Sequence, residues 1–135
     1  MGAAAAVLLL IALQAGAGAQ ERASALYACD GESRAEAAAL GLTLCDGEPT
    51  PDLLAQAEPD NLQVREGALV TAAVADGVAG IAGMQAGDLI YRVGGVDVAD
   101  AGTAAGRLAL IETRADTVVN FLRRGRPYRI KLRRE

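Results

Sequence analysis

From residue 67 onward, short apolar runs separated by glycine-containing turns restrict this chain to a small sheet of short strands. The runs are "GALVTAAV" at 67–74, "DLIYRV" at 88–93, and "TVVNFLRRG" followed by "YRIKLRR" from Thr117 to Arg134. They are rich in β-branched residues and too short for stable helices. Asp76-Gly77, Gly94-Gly95 and Arg124-Gly125-Arg126-Pro127 punctuate them, and "VDV" at 96–98 follows the glycine pair as a short strand. In the last run Tyr128, Ile130 and Leu132 alternate with Arg129, Lys131 and Arg133. That pattern predicts one buried face and one solvated, cationic face. "LGLTL" at 40–44 also has strand character.

Helices are fewer. Thr50, Pro51 and Asp52 supply an N-cap, a first-turn proline and a first-turn acid, so a helix of about two turns starts there. Its buried side is expected to be Leu53, Leu54 and Ala57, and "EPDN" at 58–61 stops it. "VAGIAG" at 78–83 predicts a single helical turn. Ala101–Thr113 predicts a longer helix with Ala104, Leu108 and Ile111 on one face. Gly102 and Gly106 weaken it by about 1 kcal/mol each relative to alanine. The acidic segment from Gln20 to Glu36 is expected to form a short helix or a tethered lead-in. The fold class is therefore α+β: a small, partly open β-barrel or sandwich of five to six short strands capped by two helices.

The length of 135 residues suits one domain. Aromatic residues make up 3% and tryptophan is absent, so the core must be built from Ala, Val, Leu and Ile. Histidine is absent and Lys131 is the one lysine, which excludes Ser-His-Asp and Cys-His centres and histidine-based zinc sites. The expectation is a protein that is not an enzyme. Acids dominate Glu21–Glu66 and bases dominate Arg123–Arg134, within a net charge of -4. This dipolar layout does not resemble a nucleic-acid surface. The basic run is expected to be a charged outer sheet face that discourages edge pairing, an anionic membrane surface being the alternative.

Ala3–Leu13 is an eleven-residue apolar run, shorter than the ~20 residues that span a bilayer. Ala17-Gly18-Ala19 follows as a small-x-small cleavage site. The expected organisation is a signal peptide at 1–19, a lead-in at 20–37 and a domain at 38–135. The rival is an uncleaved anchor, the one arrangement that brings membrane contact. Export to the periplasm or outside the cell favours a Cys29–Cys45 disulfide over two unpaired thiols. Closing that loop stabilises a chain by roughly 3 kcal/mol on the entropy model. The word "CDGE" occurs twice, at Cys29–Glu32 and Cys45–Glu48. Two similar turns are expected rather than a cation site; EF-hand spacing is absent, and no metal or cofactor is expected.

From Gly67 to Val98 the chain resembles a PDZ domain of the bacterial kind, similar to those of periplasmic heat-shock serine proteases of the trypsin-like type. The resemblance rests on Gly67–Val74, Ala82-Gly83, Gly87-Asp88-Leu89-Ile90 and Gly94-Gly95, and continues through the closing "TVVNFLRRGRPYRIKL" hairpin. It covers about Ala38–Arg134. The family's usual Gly-Ser-Pro-Ala-Ala is Gly77-Val78-Ala79-Gly80-Ile81 here, and the usual turn asparagine is Gly94.

The resemblance implies a peptide groove. Leu40-Gly41-Leu42 stands where the family has its carboxylate-binding loop, and successive N–H groups in a glycine turn form an anion-binding nest in any protein. Leu42-Thr43-Leu44 would then offer a strand edge for β-augmentation. Leu40 and Leu42 would form one wall, with Ala104, Leu108 and Ile111 as the other, and Arg34 would support the carboxylate. The implied partner is a C-terminal peptide or unfolded segment of another envelope protein, with a protease as a further partner. The implied function is an adaptor or regulator in envelope quality control or secretion. Two alternatives stand beside it: a detached regulatory module of a serine protease, and a structural domain whose groove is filled by its own residues 20–38.

Overall fold

A computed structural model describes residues 25–134; the expected signal peptide at 1–19 lies outside the described residues. The elements run β1 (Tyr27–Cys29), β2 (Ala35–Ala37), a 3-10 turn (Ala38–Leu40), β3 (Leu42–Pro49), α1 (Pro51–Gln56), β4 (Gly67–Ala73), α2 (Val78–Ile81), β5 (Leu89–Val93), β6 (Val96–Asp97), α3 (Ala101–Ala109), β7 (Thr117–Arg123) and β8 (Arg126–Leu132). The eight strands form one antiparallel sheet in the order β1-β3-β4-β5-β7-β8, with β2 also on β3 and β6 on β5. The architecture is the expected α+β class. The strand count is higher than expected because residues 27–37 contribute two strands, while β6 is the short strand expected after the Gly94-Gly95 turn. Both glycines of that turn have positive φ, as a tight hairpin of this kind requires.

The sheet is apolar on both faces, because successive strand residues point to opposite sides. On one side Leu42, Leu44, Ala68, Val70, Ile90, Val93, Val119 and Phe121 pack against Ala101, Ala104 and Leu108 of α3. On the other side Cys45, Leu69, Leu89, Tyr91 and Leu122 pack with Tyr27 and with Leu53 of α1. Leu44 and Cys45 are adjacent yet both fully buried, one on each side, beside a register shift at Thr43/Leu44.

Thr50 caps α1 as expected, its hydroxyl oxygen accepting from the Leu53 amide at 3.3 Å. Leu54, expected inside, is 59% exposed. The helix is so short that Leu53 alone faces the sheet, and its neighbour lies about 100° around the axis. Tyr128, expected on the buried face of the last strand, is 48% exposed and stacks on Phe121 at the molecular edge. Helix α3 stops at Ala109, so Ile111 follows the helix instead of lying on it, although it remains buried.

A buried aspartate ties the elements together. Asp88, 2% exposed, accepts both Nε and Nη2 of Arg123 at 2.8 Å and also the Gln85 amide. Arg123 Nη2 further donates to the Gly83 carbonyl. The Gly87-Asp88 turn is thereby fastened to the end of β7, and the ionised hydrogen bond raises the Arg123 pKa. Arg123→Ala would leave the Asp88 carboxylate buried without its partner. We expect about 2–4 kcal/mol of lost stability in urea denaturation, discounted because the guanidinium is partly exposed.

Candidate functional site

The loop Leu40-Gly41-Leu42 joins the 3-10 turn to β3. Gly41 has φ 73°, a left-handed conformation that side-chain-bearing residues adopt at a cost. Its carbonyl accepts from the Val74 amide at 2.9 Å, holding the loop against the end of β4. Its own N–H donates to the Ala38 carbonyl at 3.1 Å, so this amide of the expected anion nest is satisfied within the loop.

Helix α3 lies over the same end of the sheet, and a side chain of β3 positions it. Asp46 Oδ1 accepts the Ala101 amide at 2.8 Å, and Asp100 caps the helix by accepting the Thr103 amide at 2.7 Å. That hydrogen bond holds the Asp100 carboxyl below the usual carboxylate range. The second "CDGE" word therefore orients α3 on β3. Among the described residues no group of three or more His, Cys, Asp or Glu is placed to hold a metal ion.

The residues singled out from sequence come together, but as a floor and not as an open wall. Leu40, Leu42, Leu44, Ala104, Leu108 and Ile111 belong to one core cluster, and none is more than 2% exposed. Thr43, half-buried on β3, lends its carbonyl to the Thr71 hydroxyl at 3.1 Å. The strand edge expected to be free is paired. β2 lies antiparallel on it with Ala35 opposite Leu44, Glu36 opposite Thr43 and Ala37 opposite Leu42. β2 also packs against α3, so it occupies the space between that helix and β3. Farther along the same edge β1 pairs Tyr27 with Pro49 and Cys29 with Gly47. Arg34 donates to the carbonyls of Gly31 and Ser33 in the connection between these two strands.

The Cys29–Cys45 disulfide is formed, with Cα atoms 5.6 Å apart, and links this N-terminal segment to β3. Such a bond persists in oxidising compartments. Further anchors are the Asp30 amide on the Asp46 carbonyl at 2.8 Å and the Thr50 amide on the Leu26 carbonyl at 3.0 Å. The Tyr27 hydroxyl donates to the Gln63 carbonyl at 3.2 Å, and burial pushes the Tyr27 pKa up to about 12. A cleft of about 770 Å³ lies away from α3, lined by Tyr27, Asp88, Arg123, Arg126 and Tyr128 among others.

Sequence reasoning gave a groove filled by residues 20–38 only as an alternative, did not expect Ala35–Ala37 as a strand, and missed the role of Asp46. "RAEAAAL" consists of good helix formers, so local propensity pointed away from a strand. The available signal was positional: a segment directly ahead of a glycine loop is near the strand that follows it.

No family model matches the chain, and neither does any curated protein. Solved structures do. One similar structure is the HtrA-type protease AlgW with decapeptide, at 23% identity and a TM-score of 0.53, over 70% of this chain and 27% of that one. Another is the HtrA3 PDZ domain bound to a phage-derived ligand, FGRWV, at 18% identity and a TM-score of 0.52, over 76% and 86% of the two chains. The fold is that of a PDZ domain. At these identities the likeness shows the fold alone, and the chain spans 27% of the AlgW chain. The match is to the PDZ part of such proteases and not to a catalytic domain. Among the described residues of this PDZ domain no helix is long and apolar enough to cross a membrane.

Reducing the disulfide should lower the stability of the PDZ domain by roughly 3 kcal/mol, read as a shift of the denaturant midpoint with and without reductant. Tyr27 should make stability fall in alkali. Its folded pKa lies above the ordinary value of about 10, so above that pH the unfolded chain holds fewer protons. The contribution is present below about pH 10 and is lost on the way to about pH 12. Tyr27→Phe should remove this late step from an ultraviolet titration and flatten the stability profile.

Proposed function

We propose that this chain is a peptide-binding module that takes a strand of another protein by β-augmentation between β3 and α3. Its ligands are protein C-termini or exposed apolar segments, and its role is that of an adaptor or regulator of protein quality control or secretion in the cell envelope. The observation that carries this reading is the seat of β2: a three-residue extended segment lies antiparallel on β3, beneath α3, with its C-terminal end at the Gly41 loop. The site accepts a strand of the kind a ligand would present. The PDZ fold supports the same reading, since the AlgW structure was determined with a decapeptide and the HtrA3 domain with a phage-derived ligand. Main-chain pairing with small buried anchors makes a small interface, so affinity should be modest.

The same observation favours a second reading, in which β2 is permanent and the domain is structural. Export and a signal peptide at 1–19 belong to the proposal; the disulfide supports an oxidising location.

Peptide titrations on oxidised and reduced protein test the proposal. Peptides with a free C-terminus should bind at least tenfold more tightly than their amides, and Gly41→Val should weaken binding, because valine is strained at φ 73° and its Cβ would crowd Val74. Absence of binding in both redox states, or equal binding of acid and amide, would count against carboxylate recognition. Leu108 is unsuited to such a test, since it is fully buried and a charge there would unfold the domain.

A further inference from the structure

We propose that Ala35–Ala37 is a built-in ligand of the β3–α3 groove, tethered by the Cys29–Cys45 disulfide, and that free peptides of the same small-polar-small pattern bind when this segment is displaced. The inference rests on the peptide-binding reading above and adds the ligand pattern and the regulation of that site.

The alternation along β2 is that of a docked peptide. Ala37 is 6% exposed and Ala35 packs against the same apolar cluster, while Glu36 between them is exposed. A strand sends alternate side chains to opposite sides, so the two methyls face the core and the carboxylate faces water. The floor beneath them is full: Leu42, Leu44, Ala104 and Leu108 are each at most 2% exposed. A methyl therefore fits at both inward positions, and at the buried Ala37 position a larger side chain needs the core to rearrange. A matching ligand carries Ala or a comparably small residue at its last and third-from-last positions and a polar residue between them.

Three paired residues, one buried methyl and one half-buried methyl are a weak hold on their own, because ordering a strand costs conformational entropy. Two tethers offset this. The 3-10 turn Ala38–Leu40 follows β2 directly, and the disulfide fixes the chain at Cys29, six residues before Ala35. A short tether presents its segment at an effective concentration on the order of mM, so an untethered peptide with the same contacts competes poorly. Apparent affinity scales with the fraction of molecules whose groove is open. Unwinding of the 3-10 turn along with β2 would also release the Gly41 amide from the Ala38 carbonyl, leaving it free for a terminal carboxylate.

The test uses the full chain, as the oxidised native protein, as Cys29→Ser/Cys45→Ala and as Ala37→Glu, which places a charge in the apolar groove. The probe is a fluorescent peptide ending in Ala-Glu-Ala with a free carboxylate. Backbone amide exchange at Ile90 and Phe121 reports whether each variant is folded. Both variants should bind the probe at least tenfold more tightly than the native protein, with faster amide exchange in β2 and the outer edge of β3. Equal affinity of native and variant proteins, with exchange in β2 unchanged, would overturn the tethered-ligand proposal and leave the peptide-binding reading standing. Folded variants with β2 released that bind neither this probe nor other C-terminal peptides would overturn both.

Discussion

The structure turns on β3 being paired along both edges. One edge joins β4 and hence the rest of the sheet; the other is taken at its start by β2 and at its end by β1. Every component of the site is registered to this strand. The Gly41 loop precedes it, α3 is hung from it by the Asp46 bond to the Ala101 amide, and the disulfide joins it to the N-terminal segment. An unpaired inner edge of this kind would expose a row of backbone donors and acceptors open to any extended chain. Here the chain supplies its own.

The alanine-rich composition shapes that arrangement. With one phenylalanine and no tryptophan, the core is built of aliphatic and small side chains, and α3 contributes Ala101 and Ala104 to it. Methyl groups suit such a surface. Ala35 and Ala37 supply them. The core contacts that a larger chain would draw from bulky side chains are supplemented by directed polar bonds, chiefly the two-pronged Asp88–Arg123 pair, which closes the sheet between the β4–β5 connection and β7.

Much of the fold was legible in order along the chain. The strands at 67–73, 89–93, 117–123 and 126–132 lie within or beside the runs marked by alternation and glycine turns, because period-2 patterning and positive-φ turns are local properties. The Thr50-Pro51 helix start was legible for the same reason. Three details were not. Leu54 points outward because a two-turn helix offers one buried position; Tyr128 lies on Phe121 at the sheet margin; Ile111 falls past the end of α3. Each depends on where a neighbouring element ends, and local pattern does not carry that information.

The site divides along the same line. The sequence by itself determined a helix with Ala104 and Leu108 on one face and a pair of cysteines, since each follows from residue type and spacing, and the family resemblance implied the glycine loop before β3. Tertiary structure decided that these residues form a buried floor and that the strand edge above it is filled by Ala35–Ala37. Alanine and glutamate prefer helix in isolation, so only the unpaired edge of β3, a partner brought alongside by the Gly41 turn and the Cys29–Cys45 bond, makes that segment a strand.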